Sequence, residues 1–208
     1  MNFNHWFSTT AIIFLFACSS APKNPALELS AFEGKKVALV EIDAEPTARS
    51  VVEVALVNQL VQRGTFFLIP KKEVEEVRTS PNQDPTDWRG IAKQAHADIA
   101  LRAFVRKFET TAQDGYAKEI VTDSQYAEEQ GSDGKIERLT PVKTLSGEVQ
   151  VELQWTDLDK NETKNGIAEA KKSTEEKAQK SAIHLPPRLR FLESITNQAF
   201  SKFFDQYR

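Results

Sequence analysis

The chain contains one cysteine, Cys18, and a single thiol cannot form a disulfide within its own chain. It follows an uncharged, mostly apolar run at residues 7–17. That run has the length of a secretory signal sequence and is too short for a membrane-spanning helix of about 20 residues. We therefore predict that residues 1–17 are a signal peptide and that Cys18 has a role other than disulfide formation.

The residues Leu15-Phe16-Ala17-Cys18 resemble the bacterial lipobox, in which the cysteine receives the lipid. This resemblance implies a lipidated Cys18, with residues 18–35 as lipid anchor and tether. Several acyl chains on one protein give stable membrane attachment. By resemblance to other lipoproteins, the absence of Asp after Cys18 favours the outer membrane over the inner membrane, on the periplasmic side.

Three side chains could support acid–base chemistry. Glu41 and Asp43 lie at the carboxyl end of the first predicted strand, where open α/β sheets place ligands. His96 ends a predicted helix in the core region, where a capping or packing role competes with catalysis. A small ligand-binding or hydrolytic site near these three residues is the alternative hypothesis. The competing interpretation is that Glu41 and Asp43 simply lie at a solvated edge of the sheet.

Other chemical motifs are absent from the sequence. There is no Gly-rich phosphate loop, no Ser nucleophile elbow and no Cys/His metal spacing. Asp157, Asp159 and Asn161 match the start of a calcium loop, but Glu162 and Ala168 occupy the positions that need Gly and a bidentate Glu. We therefore predict a plain hairpin turn there. We predict no catalytic residue, no cofactor and no metal, and hence no enzyme.

Strand and helix signals alternate from Lys36 onward. Apolar runs predict strands at residues 36–43, 66–69 and 98–108. Between them, periodic segments predict a helix capped by Thr47 and ending at Gly64, a short helix at 71–78, and a third that begins at Trp88 after a cap at Thr86 or Asp87. Strands connected through helices indicate a parallel sheet.

The second half of the chain has a different pattern. Residues 109–139 hold eight acidic and three basic side chains, which predicts a mobile acidic insertion with at most weak strands near 116–122. Alternation at 149–155 and a turn at 157–161 predict an antiparallel hairpin that ends near Ser173. A final helix begins near Pro186-Pro187 and has an apolar stripe of Leu189, Leu192, Ile195, Ala199 and Phe203.

These elements predict one α/β domain over residues 36–208. Its class is α+β, with three layers in the order β-α-β-α-β-β-β-α: helices pack on a mixed parallel and antiparallel sheet, and a C-terminal amphipathic helix closes the domain.

Three phrases carry a family resemblance: Lys35-Lys36-Val37-Ala38-Leu39-Val40, residues 60–67 (LVQRGTFF) and residues 95–101 (AHADIAL). They resemble the family of envelope lipoproteins that includes CsgG and LpoB, whose fold is similar to the N-terminal domain of TolB. The resemblance covers residues 35–108 and, more loosely, the hairpin and final helix. It implies either a pore former or a regulator or scaffold, and it allows a homo-oligomer.

Charge argues against two classes of function. A net charge of −3 without a concentrated basic surface argues against nucleic acid as a partner. The acidic residues of 109–139 and the four Lys and two Glu of 171–180 argue against lipid-facing strands, and so against a pore. We therefore expect a non-enzymatic interaction or assembly module of the cell envelope, an accessory of a secretion complex or a cell-wall synthase, which binds envelope proteins.

Overall fold

A computed structural model describes residues 29–122, 135–177 and 183–206. The predicted signal peptide, Cys18, most of the tether and residues 123–134 of the acidic insertion lie outside this part of the chain. The segment boundaries predicted for them stay predictions.

In the described part of the chain, five strands form one mixed sheet in the order β2-β1-β3-β4-β5. The strand β1 pairs in parallel with β2 and β3, whereas β3, β4 and β5 pair antiparallel. The strands are β1 Lys36–Asp43, β2 Phe67–Leu68, β3 Ile99–Thr122, β4 Lys135–Asp157 and β5 Glu162–Lys177.

Helices cover both faces of this sheet. A short 3-10 helix, Leu29–Phe32, precedes β1, and the residues that the structure describes form four α-helices: α1 Pro46–Arg63, α2 Lys71–Arg78, α3 Trp88–Gln94 and α4 Arg188–Gln206. One buried cluster lies between the sheet and α1 with α4, and a second lies between the sheet and α2 with α3. The predicted three-layer α+β class is confirmed.

Local signals explain where the helices begin and end. The helix α1 begins at Pro46, a residue that suits the first turn because it has no N–H to leave unpaired. Thr47 therefore lies inside the helix, and its prediction as the N-cap was wrong. Gly64 ends α1 with a φ of 63°, as predicted for a left-handed position. Asp87 caps α3 by accepting the Gly90 N–H at 2.9 Å.

The final helix buries most of its predicted stripe. Leu192, Ile195, Ala199 and Phe203 are buried, but Leu189 is 44% exposed. The helix begins at Arg188, so Leu189 belongs to its first turn, where it lines a surface groove beside α1 instead of the core.

The prediction of a mobile acidic insertion at 109–139 was wrong for the described residues. Residues 109–122 belong to β3 and residues 135–139 to β4, so β3 is about twice and β4 about three times as long as expected. The acidic side chains are balanced by bases on neighbouring strands, several of which lie outside the insertion. The pairs are Asp114 with Lys143, Glu119 with Lys177, and Glu137 with Lys118.

Candidate functional site

A cleft of about 600 Å³ opens at the carboxyl ends of β1 and β2. The chain leaves β1 toward α1 on one face of the sheet and leaves β2 toward α2 on the other face. Strand ends whose connections diverge in this way form the crevice in which open α/β sheets bind ligands. The volume lies within the range of about 300 to 1,000 Å³ that is common for such pockets.

One wall of the cleft is the edge of β1. The strand β2 is only two residues long and pairs with β1 at Lys36 and Val37. The Ile69 N–H then donates to the Val37 carbonyl at 2.9 Å before the chain turns away at Pro70. Residues 39–43 all line the cleft, and on this side no described strand pairs with them. We call this stretch the open edge.

Charged side chains from α1 and α2 form the other two walls. Lys71 Nζ lies 2.7 Å from Glu53 Oε1 and so links the two helices across the cleft. Arg78 lies 3.4 Å from Glu75 through Nε, and its Nη2 donates to the Val40 carbonyl of the open edge. Mutual pairing therefore neutralises most of the charge in these walls.

Two further charges at the mouth have no ion-pair partner among the described residues. Arg49 donates to the Ala44 carbonyl at 3.4 Å, a weak bond that leaves its charge uncompensated. Asp43, which is exposed, ends β1 six residues before Arg49. The described residues that line the cleft therefore include one anion and one cation without an ion-pair partner.

The structure brings two of the three predicted acid–base residues to the cleft. Glu41 and Asp43 both line it, as their position at the end of β1 predicted. Glu41 is bound by Arg102, whose Nε donates to Oε2 at 2.6 Å. Among the residues that line the cleft, no base lies beside either carboxylate in a position to act with it in hydrolysis.

His96 lies at the opposite end of the sheet. It precedes β3, and the neighbouring Asp98 accepts the backbone N–H of Lys36, the first residue of β1. Asp43 is seven residues further along that strand, or about 23 Å. A single small site shared by His96 with Glu41 and Asp43 is therefore ruled out, and that prediction was wrong. His96 is exposed and has a φ of 56°, which marks the turn between α3 and β3.

The turn that resembles a calcium loop is a hairpin turn held by one carboxylate. Asp157 Oδ1 accepts the backbone N–H groups of Asp159 and Lys160, each at 3.1 Å. Its Oδ2 accepts a bond from Lys35 Nζ at 2.9 Å. Within residues 29–122, 135–177 and 183–206, no group of three or more His, Cys, Asp or Glu side chains could hold a metal ion.

A second candidate surface lies on the outer parts of the long strands, residues 111–122, 135–146 and 173–177, which we call the ribbon. Tyr116, Ile120 and Leu139 are 73%, 75% and 58% exposed. Leu139 pairs with Lys118, which stands between Tyr116 and Ile120, so all three apolar side chains lie on one face. This face continues the one that α1 and α4 cover further inward. We call these three residues the apolar strip.

Ion pairs fix the strands that carry the apolar strip. Lys118 lies 2.6 Å from Glu137 on the same face. On the other face, Glu119 accepts bonds from Lys177 and Thr140, and these bonds hold the pKa of Glu119 below its ordinary value. Because three strands are cross-linked in this way, the apolar strip lies on a defined surface.

Sequence reasoning placed Glu41 and Asp43 at the cleft but missed other groups of both surfaces. It did not find Arg49 or Arg78, whose positions depend on how α1 and α2 pack around β1. The signal for the open edge was Pro70, which ends β2 early because proline cannot donate a sheet hydrogen bond. The signal for the apolar strip was the alternation of Tyr116, Lys118 and Ile120, which the local acidic composition obscured.

Comparisons with known proteins give only distant structural similarities. No family model matches the chain, and no curated protein sequence matches it. A PelC dodecamer from Paraburkholderia phytofirmans is similar at 14% identity and a TM-score of 0.37, over 86% of this chain and 91% of that one. Lipoprotein GNA1162 from Neisseria meningitidis is similar at 10% identity and a TM-score of 0.37, over 80% and 97%. Neither assigns a function to this chain.

Proposed function

We propose that this chain is a lipoprotein anchored through Cys18 on the periplasmic side of the outer membrane, and that it acts as a non-enzymatic interaction module in envelope assembly. The observation that carries the proposal is the ribbon with its exposed apolar strip. We infer that this strip contacts a partner protein.

The direction of the ribbon supports this role. The 3-10 helix lies at the end of the sheet where β1 and β3 begin. Its residue Phe32 packs on Trp155, which is next to that end. Only ten residues, 19–28, separate this helix from Cys18, a span of at most about 35 Å. The strand β3 runs away from this end, and the twelve ribbon residues 111–122 extend about 40 Å along it. The ribbon thus points away from the anchored end.

The chemistry of the ribbon supports protein binding. Three large apolar side chains alternate on one face with the Lys118–Glu137 ion pair, and protein interfaces commonly combine apolar contacts with polar ones in this way. Exposed apolar groups that are clustered in this way, rather than scattered singly, mark interaction sites on water-soluble domains. Among the described helices, none is both long and apolar enough to cross a membrane.

Site-specific photo-cross-linking in cells tests the proposed interface. A photoreactive residue at Ile120 or at Leu139 should give the same protein adduct, and one at Lys93, exposed on α3, should not give it. A second copy of the chain counts as a partner. The interface proposal is wrong if the ribbon positions give no adduct, or give only what Lys93 gives.

The anchor needs a separate experiment. Cells fed an alkyne-tagged fatty acid should label the wild-type protein, and Cys18→Ser should abolish the label. Density fractionation of the membranes then distinguishes outer from inner membrane. An unlabelled wild-type protein, or a label that survives Cys18→Ser, would contradict the anchor.

A second candidate function has one observation in its favour. The cleft contains Glu41 and Asp43 and has the size of a ligand pocket, so a small-molecule-binding lipoprotein is the alternative. A Glu41→Ala/Asp43→Ala variant that stays folded and keeps the ribbon cross-links but loses function in cells would favour this alternative.

A further inference from the structure

The strand β1 pairs with β3 along one edge, whereas its other edge is largely unpaired. Toward β3 its pairing runs from Val37 to Asp43, which lies opposite Phe104, with one irregularity between Leu39 and Glu41. Toward β2 its strand pairing ends at Val37, opposite Leu68. An exposed edge of this kind offers unpaired backbone N–H and C=O groups with which another chain can pair.

The side chain of Arg78 already uses one of these backbone groups. Its Nη2 donates to the Val40 carbonyl, and its Nη1 donates to the Pro85 carbonyl at 3.1 Å. A guanidinium therefore occupies a position where a neighbouring strand would place an N–H donor. The Val40 carbonyl of the open edge thus faces the cleft and is within reach of a donor inside it.

The two helices limit what can fill the gap. Arg49, Glu53 and Val57 line it from α1, and Lys71, Glu75 and Arg78 line it from α2. Successive side chains of an extended segment point to opposite sides, so such a segment would present them alternately to α1 and to α2. A strand is therefore the element whose backbone matches the open edge and whose side chains match both walls.

We propose that the open edge is a docking slot for a short extended segment of a partner protein, which adds a strand beside Leu39–Asp43. This is the β-augmentation mode, in which backbone hydrogen bonds give affinity and side-chain pockets give specificity. The uncompensated charges of Asp43 and Arg49 favour a segment that carries both a basic and an acidic residue. The inference rests on the proposed function, which it deepens by naming the partner's chemistry.

The slot can fail while the ribbon interface holds, because the two surfaces share no residue. The test uses the full chain in detergent and a display library of random peptides of about eight residues, the length of a typical strand. Selected peptides should carry both charge signs. Their binding should slow exchange of backbone amides within Leu39–Asp43, as measured by hydrogen–deuterium exchange.

Two matched variants on α1 locate the binding. Val57→Trp places a large ring in the cleft and should weaken the selected peptides at least about tenfold. Val54→Trp, on the same helix but outside the cleft, should leave their affinity unchanged. Circular dichroism confirms that both variants fold. Arg49→Glu serves as a milder second variant, and it should shift the selected sequences toward basic residues.

Three results would overturn the proposal. One is a library that yields no binder. Another is binding that Val57→Trp leaves intact. The third is binding in the cleft without slowed exchange at Leu39–Asp43, which would assign the cleft to a ligand held by side chains alone.

Discussion

Phe32 lies flat against Trp155, with ring centroids 5.7 Å apart and ring planes within 10° of parallel. Phe32 belongs to the segment before β1, whereas Trp155 lies on β4, near the end of the sheet where β3 begins. Phe204 of α4 meets the same indole edge-on at 6.3 Å. This cluster joins the segment that leads to the predicted anchor to both the sheet and the final helix.

We expect Phe32→Ala to lower the free energy of unfolding by about 3 kcal/mol, because it removes a ring that is 3% exposed and leaves a cavity beside Trp155. Urea denaturation followed by tryptophan fluorescence measures the loss. Phe67→Ala is the matched control: that ring is 66% exposed on β2, so a change within about 0.5 kcal/mol is expected. Equal effects of the two substitutions would show that Phe32 does not contribute through burial.

The closing helix offers a second test of burial. Phe203 is buried and its ring meets that of Phe204 at 5.2 Å, so Phe203→Ala should cost about 3 to 5 kcal/mol. Leu189 belongs to the same sequence stripe but is largely exposed, and Leu189→Ala should cost less than about 1 kcal/mol. Thermal unfolding of both variants measures the difference. An unchanged melting temperature for Phe203→Ala would contradict this packing.

Most of the body of the domain could be predicted from local patterns. The strand β1, the helix α2 and the left-handed Gly64 follow from apolar runs, helical periodicity and glycine's conformational freedom, which act over a few residues. The ribbon could not be predicted in this way. Asp114 and Glu119 are balanced by Lys143 and Lys177, which are distant in the chain, so composition counted locally suggested repulsion where the sheet provides pairing.

The candidate site was predicted in part for a similar reason. The end of β1 could be located, so Glu41 and Asp43 were placed correctly. Parallel pairing returns the chain to the amino end of the sheet before β3, which separates His96 from them. The open edge exists because β2 is shorter than β1. Pro70 predicts where β2 ends, but the open edge can be predicted only when this end is compared with the longer β1.

The Lys35–Asp157 pair should make stability depend on pH in the acid range. Burial raises the pKa of Asp157, but the hydrogen bond from Lys35, the backbone N–H of Lys160 and the charge of Lys35 together hold it below its ordinary value. A carboxylate with a depressed folded pKa stabilises fully above its unfolded pKa of about 3.9. This stabilisation is lost as the pH falls through the folded pKa.

We therefore expect Asp157→Asn to lower stability at neutral pH by roughly 1 to 3 kcal/mol, and this difference from wild type should shrink as the pH falls below about 4. Urea denaturation at a series of pH values measures it. Asp159→Asn, in the same turn, leaves the pair intact and should keep the wild-type dependence. A difference for Asp157→Asn that stays constant down to strongly acidic pH would contradict the role of this ion pair.

The same ion pair can be tested at basic pH through Lys35. Its hydrogen bond to Asp157 is the main cause that raises its pKa, so its contribution is present below the unfolded value of about 10.4. It is lost as the pH rises through the folded pKa. Lys35→Met should therefore differ most from wild type near neutral pH and converge with it in strong base. Unfolding curves at neutral and at strongly basic pH check this, and a constant gap would count against it.

Gly147 sets how closely α4 approaches the sheet. A Cβ at this position would lie 2.6 Å from Ile195 Cδ1 and 3.1 Å from Phe191, both buried side chains of α4. Because a close-packed core cannot absorb a methyl group there without displacement, Gly147→Ala should cost about 1 to 3 kcal/mol.

Gly115→Ala is the matched control on β3, where the nearest atom, Val142 Cγ2, would lie at 3.4 Å. That substitution should stay within about 0.5 kcal/mol. Chemical denaturation of both variants decides the point, and a Gly147→Ala protein as stable as Gly115→Ala would mean that α4 packs less tightly on β4 than these distances require.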